Sequence, residues 1–366
     1  MSRIDTFLEL LVKQGGSDLH LVSGNPPHVR LIGEVRPVKY RELEIAETQD
    51  LLQEIMPAAL TDRLEERGNV DFSYEVPNLS RFRVNVFKHV RGLGAVFRAI
   101  PSEVQTLDDL GMPPVLKHLC RQRKGLILVT GPTGSGKSTT LAAMVDFINN
   151  ERQGHIITIE DPIEFVHHNK NSMVSQREVG QHTKNFASAL RSTLREDPNV
   201  ILVGEMRDLE TIHLAVTAAE MGILVLGTLH TNNAAATVDR IINVFPPGEE
   251  PYIRTMLSTS MVGVVSQQLA RTADRRGRVA ALEILINNPA VANIIREGKT
   301  EQLDNVIQSG SLQGMQSLDT ALRRLLDAKV ISGDEAYLKA RHKADFDRYR
   351  EEELPTGGEP SHSTES

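Results

Sequence analysis

The chain has little of several residue types, and each shortage narrows the possible functions. It contains one cysteine, Cys120, which excludes an internal disulfide and any zinc site built from several cysteines. It has no tryptophan, and only 4% of its residues are aromatic. Its 41 Lys and Arg are outnumbered by 48 Asp and Glu, without a long basic block. Because single-strand grooves combine basic residues with stacking aromatics, no nucleic acid is expected as a partner.

Long apolar runs are also missing. No run reaches 18 residues, so the sequence predicts no membrane-spanning helix. Residues 1–16 have an amphipathic pattern, but Asp5 and Glu9 interrupt the apolar stretch and no small-residue cleavage site follows. We therefore expect no signal peptide. Together with the single cysteine, these features predict a cytoplasmic protein.

A phosphate-binding loop is the strongest feature that is present. Residues 131–138 read GPTGSGKS and fit G-x-x-x-x-G-K-[ST], between a buried-strand pattern at 125–130 and helical spacing at 138–149. In such a loop the glycines let backbone N–H groups face phosphates, the lysine reaches the β- and γ-phosphates, and the serine hydroxyl binds Mg²⁺. The predicted nucleotide-binding residues are Thr133, Gly134, Ser135, Gly136, Lys137, Ser138 and Thr139.

The length of 366 residues predicts about two domains. Residues 1–100 have the pattern of a small α+β domain, and residues 101–114, which begin and end with proline, are the predicted linker. From 115 to 345 strand and helix patterns alternate, as in a parallel sheet covered by helices. Residues 346–366 are polar and rich in Pro, Gly and Ser, which predicts a disordered tail.

Periodicity places the individual elements. In the first domain we predict strands at 18–22, 29–35, 81–86 and 95–100, the last two as a hairpin, and a helix at 46–66. In the second we predict strands at 125–130, 155–160, 199–204 and 223–229, helices at 138–149, 185–196 and 209–221, an antiparallel hairpin at 264–271 and 278–285, and helices over 289–353.

Acidic and imidazole groups follow three of the predicted strands, at the sheet edge where α/β proteins bind ligands. Glu160 and Glu164 come after one strand, Glu205 after the next, and His230 after a third. Hydrolysis of a nucleoside triphosphate needs a group that orients water and carboxylates that hold the metal shell, which these residues could supply. Taken singly, the two glutamates also fit an acidic loop exposed to water, and the histidine fits a structural role.

The order of these motifs resembles that of the secretion-ATPase superfamily. An acidic box (IITIEDPIEF, 156–165), a Walker B segment (ILVGEMRD, 201–208) and a His box (LGTLHT, 226–231) follow the phosphate loop. GGSDLH at 15–20 and SRFRVNVF at 80–87 are similar to segments of type IV pilus retraction motors. The related extension and secretion motors have a long extra N-terminal region and a four-cysteine zinc insertion, and we expect neither in this protein, whose sequence contains one cysteine.

The resemblance implies a PAS-like α+β N-terminal domain followed by a RecA-like P-loop ATPase domain with a helical C-terminal region. It implies a homohexamer that hydrolyses ATP to ADP and phosphate, with Mg²⁺, and powers type IV pilus retraction and twitching motility. Its partners would be an inner-membrane platform protein of the pilus and an accessory paralogue, at the cytoplasmic face of the inner membrane. The alternatives are an accessory retraction ATPase, a ring-shaped nucleic-acid translocase and a scaffold that binds ATP without hydrolysing it.

The resemblance also assigns roles residue by residue. Glu164 matches the acidic-box glutamate that activates water, and Glu205 matches the Walker B glutamate, which binds Mg²⁺ directly or through water. His230 matches the second histidine of the His box. Arg83 and Arg98, which by themselves fit a pair of solvated arginines, match N-terminal-domain arginines that reach a nucleotide as arginine fingers do.

Two departures from the family pattern matter for function. Ile223 stands where the His box often begins with a histidine. Residues 290–297 read AVANIIRE where retraction motors have AIRNLIRE, so Ala292 replaces an arginine while Arg296 and Glu297 remain. The second departure bears on the coupling to retraction and leaves the ATP-hydrolysing residues intact.

Overall fold

The computed structural model describes residues 2–31, 33–100 and 103–350, so most of the predicted tail lies outside the described residues. The chain divides into two compact units. The first unit comprises Met1–Gln105 and Asn149–Ala189, and the second comprises Thr106–Ile148 and Leu190–Ser366. The domain boundaries at 100, 115 and 345 stay predictions.

A six-stranded antiparallel sheet forms most of the first unit, with the strand order β3-β2-β1-β6-β5-β4. Alternation of apolar and polar residues buries one face, so that Phe82, Val84 and Val86 of one strand are fully enclosed. Three helices add leucines to the same core. The elements are α1 (Asp5–Lys13), β1 (Asp18–Val22), β2 (His28–Leu31), β3 (Glu34–Pro37), α2 (Ile45–Gln53), α3 (Thr61–Arg67), β4 (Asn69–Val76), β5 (Ser80–His89) and β6 (Gly92–Ile100).

Two predictions for this region were wrong. The single strand predicted at 29–35 is instead the pair β2 and β3, joined by a turn in which Gly33 has a φ of +85°, a conformation that glycine adopts without strain. The single helix predicted at 46–66 is α2 and α3, separated by Pro57 and a short 3₁₀ turn, because proline supplies no N–H to continue a helix. The hairpin of β5 and β6 is confirmed.

Two further strands of the first unit, β8 (His155–Glu160) and β9 (Met173–Glu178), pair in parallel. The strand β8 was predicted from its apolar run. The strand β9 was not, because its sequence MVSQRE is mostly polar and carries no alternating pattern.

The second unit contains five strands of a sheet, which are neighbours in the order β13-β12-β7-β11-β10. Its parallel strands β7, β10 and β11 are buried along their whole length, which explains their continuous apolar sequences. The strand β13 runs antiparallel to β12, which confirms the second predicted hairpin. The strands are β7 (Gly125–Thr130), β10 (Val200–Val203), β11 (Leu224–Leu229), β12 (Met261–Arg271) and β13 (Arg278–Ile286).

The helices follow the predicted alternation, and the α/β class is confirmed. No helix within the described ranges is long and apolar enough to cross a membrane. The division between the units passes through α5 and α6. The helices are α4 (Val115–Cys120), α5 (Lys137–Glu151), α6 (Phe186–Thr193), α7 (Leu209–Glu220), α8 (Ala234–Ile242), α9 (Glu250–Ser260), α10 (Pro289–Glu297), α11 (Leu303–Ser309), α12 (Leu318–Asp327) and α13 (Gly333–Lys339).

Candidate nucleotide-binding site

The predicted phosphate loop connects β7 to α5, and its backbone requires glycine. Gly131, Gly134 and Gly136 have φ angles of +144°, +78° and +86°, which other residues adopt only with strain. A Cβ on Gly131 would lie 2.2 Å from the backbone oxygen of Gln267. The loop is therefore pressed against β12 and turned in a way that only this glycine pattern permits.

Lys137 begins α5 and reaches back over the loop. Its Nζ donates to the carbonyl oxygens of Gly131 and Pro132 at 2.8 and 3.1 Å. Burial lowers the pKa of this ammonium, and the charge of Glu205 opposes that change. The next residue, Ser138, is exposed at the helix N-terminus, where backbone N–H groups and the helix dipole favour an anion.

Gln267 of β12 supports the loop from below. Its buried side chain donates from Nε2 to the Ser135 carbonyl at 2.7 Å and accepts at Oε1 from Thr140 Oγ1 at 2.7 Å. It therefore ties the loop to the first turns of α5. Sequence reasoning missed this residue, although two consecutive glutamines inside the apolar run VVSQQLA were a signal that a polar side chain has a partner there.

Glu205 and His230 lie together at the ends of β10 and β11. His230 Nε2 is 3.2 Å from Glu205 Oε1, and Arg207 Nη2 donates to Glu205 Oε2 at 2.5 Å. The hydrogen bond from Arg207 holds the pKa of Glu205 below its usual value, and the charges of Arg207 and His230 add to this effect while burial opposes it. Glu205 is thus kept as a carboxylate. Arg207 also went unpredicted, although it lies in the quoted Walker B segment.

The acidic box of the first unit separates its two glutamates into different environments. The Glu160 carboxyl accepts from Thr158 Oγ1 at 2.7 Å and from Gln176 Nε2 at 3.2 Å, and burial raises its pKa. Glu164 is exposed, and its amide N–H faces Glu160 at 3.4 Å. Glu160 therefore organises the box from within, which excludes the exposed-loop interpretation for it, while Glu164 is accessible to solvent.

Arg83 of β5 and Arg98 of β6 face each other across two neighbouring strands and are both exposed. Arg98 Nε donates to Asp18 Oδ1 at 2.9 Å, and Arg30 lies 3.5 Å from the same carboxylate. Burial would raise the pKa of Asp18, but the hydrogen bonds from Ser17 and Arg98 and the charges of both arginines lower it. The polar face of this sheet thus presents a row of arginines around one ionised aspartate.

Within the second unit, Glu205 lies beside His230, and its charge acts on Lys137 of the phosphate loop. The roles of these residues toward a nucleotide stay predictions. Glu164, Arg83 and Arg98 belong to the first unit. Their approach to the nucleotide stays a prediction.

Comparison with known proteins gives this arrangement a family. The family described as type II/IV secretion system protein matches residues 2–317. The chain is 52% identical to the type IV pilus retractation ATPase PilT of Pseudomonas aeruginosa, over 94% of this chain and 99% of that protein. It is 51% identical to a twitching motility protein of Neisseria gonorrhoeae, over 86% and 84% of the two chains. It is 39% identical to the type IV pilus ATPase PilU of Pseudomonas aeruginosa, over 92% and 88%.

Solved structures agree with the sequence comparison. A crystal structure of the pilus retraction motor PilT with bound ADP superposes with a TM-score of 0.88 at 44% identity, covering 95% of this chain and 99% of that one. The ATPase DotB of Legionella pneumophila superposes with a TM-score of 0.81 at 30% identity, covering 92% and 94%. The chain therefore belongs to the family of type II/IV secretion system proteins and is one of its ATPases.

Proposed function

We propose that this protein is the ATP-hydrolysing motor of type IV pilus retraction, which drives twitching motility. The observation that carries the proposal is the phosphate loop with Lys137 folded over it and the ionised Glu205 beside His230. The near full-length similarity to PilT supports the retraction role. The lower identity to PilU makes an accessory retraction ATPase the second candidate.

The loop suits ATP with Mg²⁺. Backbone N–H groups of residues 133–139 would surround the phosphates, and Lys137 would exchange its carbonyl partners for phosphate oxygens. The exposed Ser138 hydroxyl and the Glu205 carboxylate are oxygen groups of the kind that Mg²⁺ prefers, directly or through water. When bound, Mg²⁺ supplies positive charge to the phosphates.

Hydrolysis needs a base for the attacking water and cations for the developing charge. Glu164, which is exposed, is the proposed base, while Glu160 keeps the box in shape. His230, whose Nε2 lies 3.2 Å from Glu205 Oε1, is the proposed contact to the γ-phosphate. Arg83 and Arg98 are the proposed arginine fingers, and their exposure leaves both guanidinium groups accessible to a nucleotide.

We further propose that the motor is a homohexamer at the cytoplasmic face of the inner membrane. It would act there on a PilC-like platform protein of the pilus, with a PilU-like paralogue as a second partner in the same machine. Rotation of the two units during each ATP cycle would drive pilin back into the membrane. The effect of Ala292 would appear in this coupling step.

Deleting the gene tests the cellular role. We expect cells with many static pili and no twitching, restored by the wild-type gene and not by Lys137→Ala. The measurement is pilus number per cell together with colony spreading. Normal retraction in the deletion strain would contradict the proposal and favour the accessory role.

Mixing inactive subunits tests the arginine fingers. Lys137→Ala and Arg83→Ala subunits are each expected to be inactive, and a mixed ring contains some sites with both an intact loop and an intact finger if the arginine acts between subunits. Phosphate release should then recover in mixed hexamers, with unmixed rings of each variant as controls. No recovery in rings shown to be mixed would count against action between subunits.

A further inference from the structure

In the first unit, the buried carboxylate of Glu178 connects β5, the strand that carries Arg81 and Arg83, to the acidic box at 156–165. Glu178 ends β9, and only 5% of its side chain is exposed. Its Oε1 accepts from Ser73 Oγ at 2.8 Å, and its Oε2 accepts from the Ile163 amide at 3.1 Å. Arg81 Nη2 lies 3.4 Å from the same Oε2. One side chain therefore contacts β4, β5 and the acidic box.

Two of these contacts lie next to residues proposed for hydrolysis. Ile163 precedes Glu164 directly, and it is fixed both by its amide hydrogen bond and by burial of its side chain, which is 2% exposed. Arg81 precedes Arg83 by two positions on β5, so both side chains point to the same face of the sheet. Arg83 in turn lies opposite Arg98.

The backbone of Glu178 is held as well. The Glu178 amide donates to His182 Nδ1 at 2.9 Å, and its carbonyl accepts from the His182 amide at 2.8 Å. An enclosed carboxylate is stabilised by its donors, so a shift of β5 or of the acidic box alone would remove one of the three donors from it. The geometry therefore favours movement of both segments together.

We propose that Glu178 is a positioning residue that holds Glu164 in a fixed arrangement with the Arg83–Arg98 pair. The base and the fingers then approach ATP as one group when the enzyme closes. This proposal depends on the function proposed above for those three residues. A displacement of 1 Å from productive geometry costs about a hundredfold in rate, so loss of the link should act mainly on turnover.

The variant Glu178→Gln tests this role. Glutamine keeps the size but has one acceptor oxygen, so it cannot satisfy all three donors. We expect turnover to fall by about 10- to 100-fold. ATP affinity should stay nearly unchanged, because the phosphate loop belongs to the second unit. Phosphate release and fluorescent-ATP titration of the purified full-length protein give the two values. Asp71→Asn is the matched control, since it removes an exposed carboxylate from β4.

Two further variants keep the outcomes apart. Ser73→Ala removes one hydroxyl donor from the Glu178 carboxylate, and about a fivefold loss of turnover is expected, as for one typical intramolecular hydrogen bond, because the other two donors stay in place. If circular dichroism shows that Glu178→Gln does not fold, the turnover of Ser73→Ala tests the positioning role in its place. Glu164→Gln reports on the proposed base itself.

The outcomes separate the two proposals. The positioning role alone would be overturned if Glu164→Gln is inactive while a folded Glu178→Gln enzyme has wild-type turnover. If Glu178→Gln is unfolded, wild-type turnover of Ser73→Ala would have the same meaning. Wild-type turnover of Glu164→Gln would instead overturn the assignment of the base. A role in folding only would lower the unfolding midpoint of Glu178→Gln without slowing the folded enzyme, and this too would contradict the positioning role.

Discussion

Gln267 gives the sharpest test of how the fold shapes the phosphate loop. Its side chain fills the space under the loop and makes two buried hydrogen bonds, to the Ser135 carbonyl and from the Thr140 hydroxyl, each 2.7 Å long. Leucine has a similar size and makes neither bond. The change Gln267→Leu therefore leaves one acceptor and one donor without their partner.

The expected magnitude follows from the two broken bonds. Leaving a buried polar group unpaired costs about 1–3 kcal/mol, so the unfolding free energy should fall by about 2–6 kcal/mol if neither partner relaxes. The Ser135 carbonyl lies on a loop, and it can escape this cost by rotating toward water and deforming the phosphate site. Restoring the loop when ATP binds would then cost about 1–3 kcal/mol, which is a 5- to 150-fold loss of affinity.

The assay is fluorescent-ATP titration combined with urea unfolding, and Thr140→Val is the matched control. This variant removes the other bond of Gln267 but keeps the bond to the Ser135 carbonyl. We expect it to lose about 1–3 kcal/mol of stability while ATP affinity changes less than about threefold. If Gln267→Leu is folded and binds ATP as the wild type does, the glutamine does not shape the loop and the reasoning is refuted.

Three further predictions concern the ionisable residues. Lys137→Ala should abolish hydrolysis and leave the fold intact, since the hydrogen bonds of the ammonium in the described part of the chain go to carbonyl oxygens of its own loop; steady-state phosphate release and circular dichroism measure this. Glu164→Gln and Glu205→Gln should each slow turnover by roughly a hundredfold while ATP still binds, as titration alongside turnover would show. Burial raises the pKa of Glu160 in the folded protein above its ordinary value of 4.5. The protonated carboxyl therefore stabilises the fold below pH 4.5, and this stabilisation is lost as the pH rises through the raised pKa. Because glutamine does not titrate, the melting temperature of Glu160→Gln should rise relative to that of the wild type over the same pH range.

For each of these three predictions, a specific result would contradict it. Activity of Lys137→Ala within about twofold of the wild type would remove the nucleotide-site assignment, given the roughly 10²-fold effects that groups on transferring phosphates contribute. Loss of ATP binding in Glu164→Gln or Glu205→Gln would turn that residue into a ligand contact. A pH-independent difference in melting temperature between Glu160→Gln and the wild type would show that the carboxyl does not titrate differently in the folded state.

The sequence by itself predicted the strands that are buried on both faces and the elements whose apolar residues recur with a clear period. The strands β7, β10 and β11 carry mostly apolar runs, and the loop after β7 carries a glycine pattern that few other structures require. The sequence also predicted that Glu205 and His230 lie at the ends of strands. Parallel packing of those strands brings their ends together, so the contact between the two side chains was predictable in kind.

The tertiary structure alone decided which polar residues support the site. The sequence of β9 has no apolar pattern that would predict a strand. It is a strand because it pairs in parallel with β8. Glu178 and Gln267 are polar side chains whose partners lie 105 and 132 residues away along the chain, at Ser73 and Ser135. No local pattern encodes such distant hydrogen bonds. Burial decides them: an enclosed polar group must find partners, and only the folded chain shows which ones are within reach.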